Sequence, residues 1–107
     1  MTPSEALKAI ERDAERIVSQ EALGLHARLV QASPVDKGAF KASWSIDRKS
    51  PLRWTIVNTV NYASILWAGR RTVGGKAYGS EQWVHGGDPM LKQTDIAINR
   101  RMKGIKR

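Results

Sequence analysis

Cysteine is absent from the 107 residues, which removes disulfide frameworks, thiolate zinc sites and cysteine nucleophiles from consideration together. Histidine is nearly absent: His26 and His85 stand far apart, and a metal centre needs three or four converging ligands, so no metal or other cofactor is expected. No segment approaches the ~18 uninterrupted apolar residues that a membrane helix requires. Met1-Thr2-Pro3-Ser4-Glu5 lacks the basic segment and apolar stretch of a secretory signal. The expectation is a soluble protein, made in a reducing cytoplasm and without a membrane partner. Asp36, Asp47, Glu81, Asp88 and Asp95 form no recognisable acid–base pair, and Ser43 and Ser45 have no nearby base. Catalysis is therefore not expected.

Acidic residues are also scarce in one part of the chain. Residues 1–36 hold six acidic and four basic groups, whereas the remainder holds fourteen basic and four acidic. The two parts thus carry about −2 and +10, an asymmetry that suggests a polyanion on one surface and protein or water against the N-terminal element. Gly69-Arg70-Arg71-Thr72-Val73-Gly74-Gly75-Lys76-Ala77 looks superficially like a phosphate-binding loop. Lys76 comes one residue late, however, and Ala77 replaces the hydroxyl that would hold magnesium. The segment reads instead as a basic loop whose Arg70, Arg71 and Lys76 can meet phosphates without sequence preference. Trp67, Tyr78 and Trp83 nearby suit either base stacking or anchoring at a protein interface, the second being preferred for Trp67 and Trp83.

Length and patterning predict one α+β domain over residues 1–107. Thr2 and Glu5 have capping-box spacing, with Pro3 at the first helical position. Leu7, Ile10, Ala14, Ile17, Val18, Ala22, Leu25 and Leu29 then recur at helical steps until Ser33-Pro34. Thirty residues would span roughly 45 Å, more than a compact chain of this size covers. Either the helix overhangs its domain and Ile17, Leu25 and Leu29 meet another subunit, or a kink at Gly24 folds the stripe onto one core.

Phe40, Ala42, Trp44 and Ile46 alternate with polar residues as a strand would, and Leu52, Trp54, Ile56 and Asn58 do so as its antiparallel partner, with Trp44 and Trp54 as a candidate cross-strand pair. A short middle helix is predicted over residues 62–68, with Asn61 as cap and Gly69 as terminator. Residues 70–87 read as a glycine-rich loop or hairpin in which Glu81-Gln82-Trp83-Val84 is the strand-like part. Asp88-Pro89 starts a last helix by cap-then-proline logic, ending in a basic tail of Arg100, Arg101, Lys103, Lys106 and Arg107.

Two stretches carry a resemblance: Ser33-Pro34-Val35-Asp36-Lys37-Gly38-Ala39-Phe40-Lys41-Ala42-Ser43-Trp44, and Asn58-Thr59-Val60-Asn61-Tyr62-Ala63-Ser64-Ile65-Leu66-Trp67-Ala68-Gly69. Together they resemble the "PVDTG…L..SW" and "N..YA..LE.G" signature of small tail-completion or neck proteins of tailed bacteriophages, with Lys37 for the usual Thr and Trp67 for the usual Glu. Pro34, Asp36 and Gly38 make physical sense as a turn, with an Asx-type bond and a glycine free to take positive φ. The resemblance implies a non-enzymatic virion protein at the head–tail junction or tail end, assembled in the host cytoplasm. It further implies a ring, often sixfold, against portal-side or tail-tube neighbours and around a channel for double-stranded DNA. Arg70, Arg71, Lys76 and the basic tail would then line that channel. The alternative is a small basic nucleic-acid-binding regulator with the last helix and tail as its binding element.

Overall fold

The computed structural model describes residues 2–34 and 38–105, and its architecture is α+β as predicted. The first helix, α1 (Pro3–Ala32), starts where the local chemistry placed it. Glu5 N–H donates to Thr2 Oγ1 at 3.1 Å and Thr2 N–H donates to Glu5 Oε2 at 3.4 Å, closing the capping box. The helix runs unbroken through Gly24. The ~1 kcal/mol that glycine costs is offset by burial of Ala22, Leu25 and Leu29 on the same turns. At its end, Ser33 N–H and Oγ–H both donate to Leu29 O, at 3.1 and 2.6 Å, and buried Pro34 removes the next donor.

The molecule measures 63 × 22 × 20 Å with a Cα radius of gyration of 17.5 Å, against about 13 Å for a compact chain of this length. The excess is the first part of α1: no residue from Thr2 to Arg16 is buried, and Leu7 is 57% exposed. Of the two readings of the stripe, the straight helix is the one observed. Ile17, Leu25 and Leu29, expected at an interface, are instead buried within the chain at 4, 5 and 1% exposure, because the hairpin and the last helix cover that part of α1. A charge placed on them would unfold the subunit before it tested assembly.

The segment from Gly38 to Ala42 forms a short helix, α2 (Gly38–Ala42), rather than the start of a strand. Phe40 and Trp44 are four residues apart, a spacing that serves a helical turn as well as alternation, and their rings meet edge to face with centroids 5.3 Å apart. Gly38 has no positive φ, and a Cβ there would meet nothing within 4 Å among the described residues. Its expected role as a left-handed turn residue is therefore overturned, while Asp36 lies outside the described residues. Strands β1 (Trp44–Ser50) and β2 (Arg53–Asn58) pair antiparallel. Trp44 faces Asn58 and Trp54 faces Arg48, so the anticipated tryptophan pair does not form. Trp54 instead lies 5.9 Å from the Arg48 guanidinium.

Helix α3 (Ala63–Trp67) follows, preceded by Tyr62 rather than capped by Asn61. Of the loop and the hairpin expected for the glycine-rich segment, its first part forms the hairpin, β3 (Arg71–Val73) with β4 (Lys76–Tyr78). Gly74 and Gly75 take φ of 59° and 79° at its tip, the pair of positive angles that a two-residue hairpin turn needs. Glu81–Trp83 is a 3₁₀ turn, not a strand, with Gln82 N–H donating to Ser80 Oγ at 3.1 Å. Helix α4 (Asp88–Lys103) has Gly87 at its cap position, one residue earlier than predicted, and Pro89 in its first turn. It lies antiparallel on α1: Arg28 Nη2 donates to Thr94 Oγ1 at 2.9 Å, and Arg101 donates to Glu21 Oε1 at 3.0 Å and Gln20 Oε1 at 2.6 Å.

Leu25, Leu29, Phe40, Leu66 and Trp83 form the core. Around Phe40 the rings close a circuit: Phe40–Trp44, Phe40–Trp83, Trp44–Trp67 and Trp67–Trp83, at 5.3, 5.5, 6.3 and 6.2 Å between centroids. Phe40→Ala should cost about 3–5 kcal/mol in urea denaturation. Two glycines offer a sharper contrast. Gly86 has φ +64°, and a Cβ there would collide with the Trp67 carbonyl oxygen, so Gly86→Ala should be strongly destabilising. Gly38→Ala should be neutral or stabilising by up to about 1 kcal/mol, which thermal melts of the two variants will distinguish.

Candidate functional site

Two features of the folded chain bear on function: a set of cations and an apolar groove. Several of the cations are occupied internally. Arg70 lies 3.5 Å from Glu81 Oε1 and donates to Gly79 O at 3.1 Å, tying the root of the β3–β4 hairpin to the following 3₁₀ turn. Arg71 donates to Ile65 O and Gly69 O, both at 3.3 Å, and its guanidinium carbon is 6.0 Å from the Tyr78 ring centroid. Lys76 Nζ reaches the same ring at 5.8 Å, so Tyr78 braces two cations on one small hairpin.

At the far end of α4, Arg101 is drawn onto α1 by Glu21 and Gln20, whereas Arg100 and Lys103 are exposed on the last turn. Cations at that end also oppose the negative pole of the helix. Lys106 and Arg107 lie outside the described residues. The hairpin root is joined to the start of α4 by Arg70 N–H to Val84 O and Gly87 N–H to Trp67 O. The Arg100–Lys103 turn is one helix away, about 22 Å by helical rise. The predicted basic residues thus fall into two groups rather than one patch.

The groove has a volume of ≈ 690 Å³ and a mainly apolar lining. Its floor is α1, from Val18 through Ala22 and Leu25 to Leu29; one wall is the β1–β2 hairpin with Trp54 and Ile56, and the other is α4 with Leu91 and Ile98. Helix α1 packs on both the hairpin and α4, and the space between those two walls is what stays open. Exposed Leu52 and Leu91 form its lips, with Arg53 on the hairpin side and Asp95 on the α4 side.

Of the residues expected at an interface, Leu25, Leu29 and Trp67 contribute to the groove lining, while Ile17 and Trp83 sit in the chain's own interior. Trp83, 6% exposed, is not available for base stacking or as an anchor for a partner. Trp54 Nε1 beside the groove is buried without a hydrogen-bond partner among the described residues, as is His26 Nε2. Trp44 Nε1, by contrast, donates to Ser33 Oγ at 2.8 Å. Periodicity could not reveal the groove, because it arises from two elements that share a floor and do not close on each other.

Among the described residues no group of three or more His, Cys, Asp or Glu could hold a metal ion, and no helix is long and apolar enough to cross a membrane. The Asp47 carboxyl is held below its usual range by a hydrogen bond from Lys49 and then by that ammonium's charge, 2.7 Å away. Both groups are solvent-exposed, so the pair adds little to stability. No protein-family model, curated protein or solved structure matches the chain. Since Tyr78 is the shared platform for Arg71 and Lys76, Tyr78→Ala should loosen the β3–β4 hairpin locally. Hydrogen exchange should quicken at the Arg71–Tyr78 ladder amides and stay unchanged at those of α1 around Leu25 and Leu29.

Proposed function

We propose that the chain is a structural component of a tailed-bacteriophage particle, at the head–tail junction or the tail end. Copies of it form a ring, sixfold in the arrangement its signature resembles, around the channel for double-stranded DNA. The ring sits against portal-side or tail-tube neighbours and assembles in the host cytoplasm. Its role is architectural and involves no catalysis.

The observation that carries the reading is the projection of α1. A helix of 30 residues begins with a closed capping box, presents no buried position before Ile17 and leaves Leu7 57% exposed. A lone subunit gains no core from that extension, whereas a subunit in a closed assembly has a neighbour to receive it. The signature residues give independent support: Pro34 is buried at the end of α1, and Asn58 and Trp44 connect the first motif to the second. Asn58 Nδ2 donates to Phe40 O at 2.7 Å, and Trp44 packs on Trp67.

The charge distribution suits a channel better than a regulator. Arg101, in the centre of the basic end of α4, is engaged by α1, and Lys76, Arg100 and Lys103 are scattered rather than aligned for reading bases. Scattered cations hold phosphates weakly and let a duplex slide. In isolation the protein should bind duplex DNA weakly, without sequence preference, and release it as salt rises. Replacing Lys76, Arg100 and Lys103 by Gln should preserve the melting temperature and impair genome retention or delivery in assembled particles. It should also lower the salt slope by about 0.9 for each phosphate that is no longer neutralised. Tight binding to one particular duplex at physiological salt would favour the regulator and sink the neck reading.

A further inference from the structure

We infer that the apolar groove between the β1–β2 hairpin and α4 receives the projecting N-terminal arm of α1 from a second copy of the chain, joining copies head to tail. The inference rests on the ring reading above and names the two surfaces that would build it.

The arm and the groove match in length, chemistry and charge. Leu7, Ile10 and Ala14 stand at i, i+3 and i+7, the spacing with which an amphipathic helix enters an apolar groove, and they span about 10 Å along the arm. The groove floor from Val18 to Leu29 spans about 16 Å, and its ≈ 690 Å³ is room for several side chains. Each surface leaves apolar side chains exposed in its own subunit: Leu7 is 57% exposed on the arm, and Leu52 and Leu91 are 56% and 39% exposed at the lips. Because α1 is one continuous helix and the molecule extends over 63 Å, the arm points away from the groove of its own chain, and a second copy must supply it.

Charge selects this partner further. Glu11 borders the arm's apolar stripe, and Arg53 borders the groove; neither has an ion-pair partner among the described residues. The inferred seating is the one that pairs Glu11 with Arg53. The same pairing runs from the acidic N-terminal third of one chain to the basic remainder of the next. Arm and groove are different surfaces of one molecule, so the contact is heterologous and propagates until it closes.

The test uses full-length chains. An arm variant carries Leu7→Glu and Ile10→Glu, and a groove variant carries Leu52→Glu and Leu91→Glu. None of these positions is buried, so circular dichroism and melting should match wild type. By light scattering, wild type should form a closed oligomer and each variant alone should be a monomer. An equimolar mixture should give a species of two chains and nothing larger, because one good arm and one good groove remain. In a second experiment, Glu11→Arg and Arg53→Glu should each weaken the oligomer at least tenfold in dissociation constant, and the double variant should regain most of that affinity.

A monomeric wild type, an oligomer that survives in either variant, or a mixture that stays monomeric would overturn the arm-in-groove contact. An oligomer that survives in the variants yet enters particles would leave the neck reading standing without it. Head-to-tail oligomers absent from particles would do the reverse.

Discussion

The packing of Leu29 against Phe40 is the constraint on which the rest of the structure depends. Both are essentially inaccessible, and the elements that their contact ties to α1 could not persist alone. Phe40 lies on a five-residue helix, far below the length at which helices hold themselves together. The β1–β2 hairpin is a two-stranded ribbon, which is marginal in water without a surface to pack on. Phe40 brings the two together: its ring meets Trp44 at the start of β1 and Trp83 beyond the second hairpin. Leu25 and Leu29 supply the floor on which that aromatic circuit rests. The polar contacts follow from this geometry. Ser33 accepts from Trp44 Nε1 while donating to Leu29 O, so the end of α1 is held to the strand that its own apolar face supports.

Most helix boundaries were legible in the sequence because their causes are local. The Thr2–Glu5 box, Pro3, and the Asp88-Pro89 start each act within one turn, and the structure places α1 and α4 within a residue of the expected positions. The sheet was legible only in outline. Phe40, Ala42 and Trp44 satisfy a strand's alternation, yet Phe40 and Trp44 are also one helical turn apart, and tertiary contact with Trp83 settled the choice in favour of α2. Strands β3 and β4 contain three residues each, too few for a period to register. Their signal was the Gly74-Gly75 pair, which marks the turn rather than the strands. The register that separates Trp44 from Trp54 depends on where Pro51 and Leu52 place the bend and on the irregularity between Arg48 and Ser50.

Charge was legible as a sum and misleading as a surface. The +10 remainder of the chain suggests a continuous cationic face, but folding commits several of those groups to internal tasks. Arg48 lies on Trp54 and near Glu15, Arg70 and Arg71 hold the second hairpin, and Arg101 fastens α4 to α1. Guanidinium groups suit this work because a planar fork can bond several acceptors while its stem covers apolar surface. Arg100 and Lys103, exposed at the end of α4, are left for solvent or a polyanion.

The projecting arm then raises an energetic question that the fold answers. A helix of about fifteen residues with no tertiary support would be largely unfolded in water, and ordering it on contact would consume much of the binding energy. Here nucleation has already occurred, because the arm is the continuation of a helix whose second half is fixed by Ile17, Leu25 and Leu29. The Thr2–Glu5 box limits fraying at the free end. A pre-ordered arm presents Leu7, Ile10 and Ala14 in fixed relation, so docking into the proposed groove would cost little beyond the translational and rotational freedom of the subunit. The direction of α1 from each body would also set the angle between successive subunits. A helix unbroken at Gly24 would therefore suit the proposed ring: a hinge there would let the angle vary from one contact to the next and leave the assembly open.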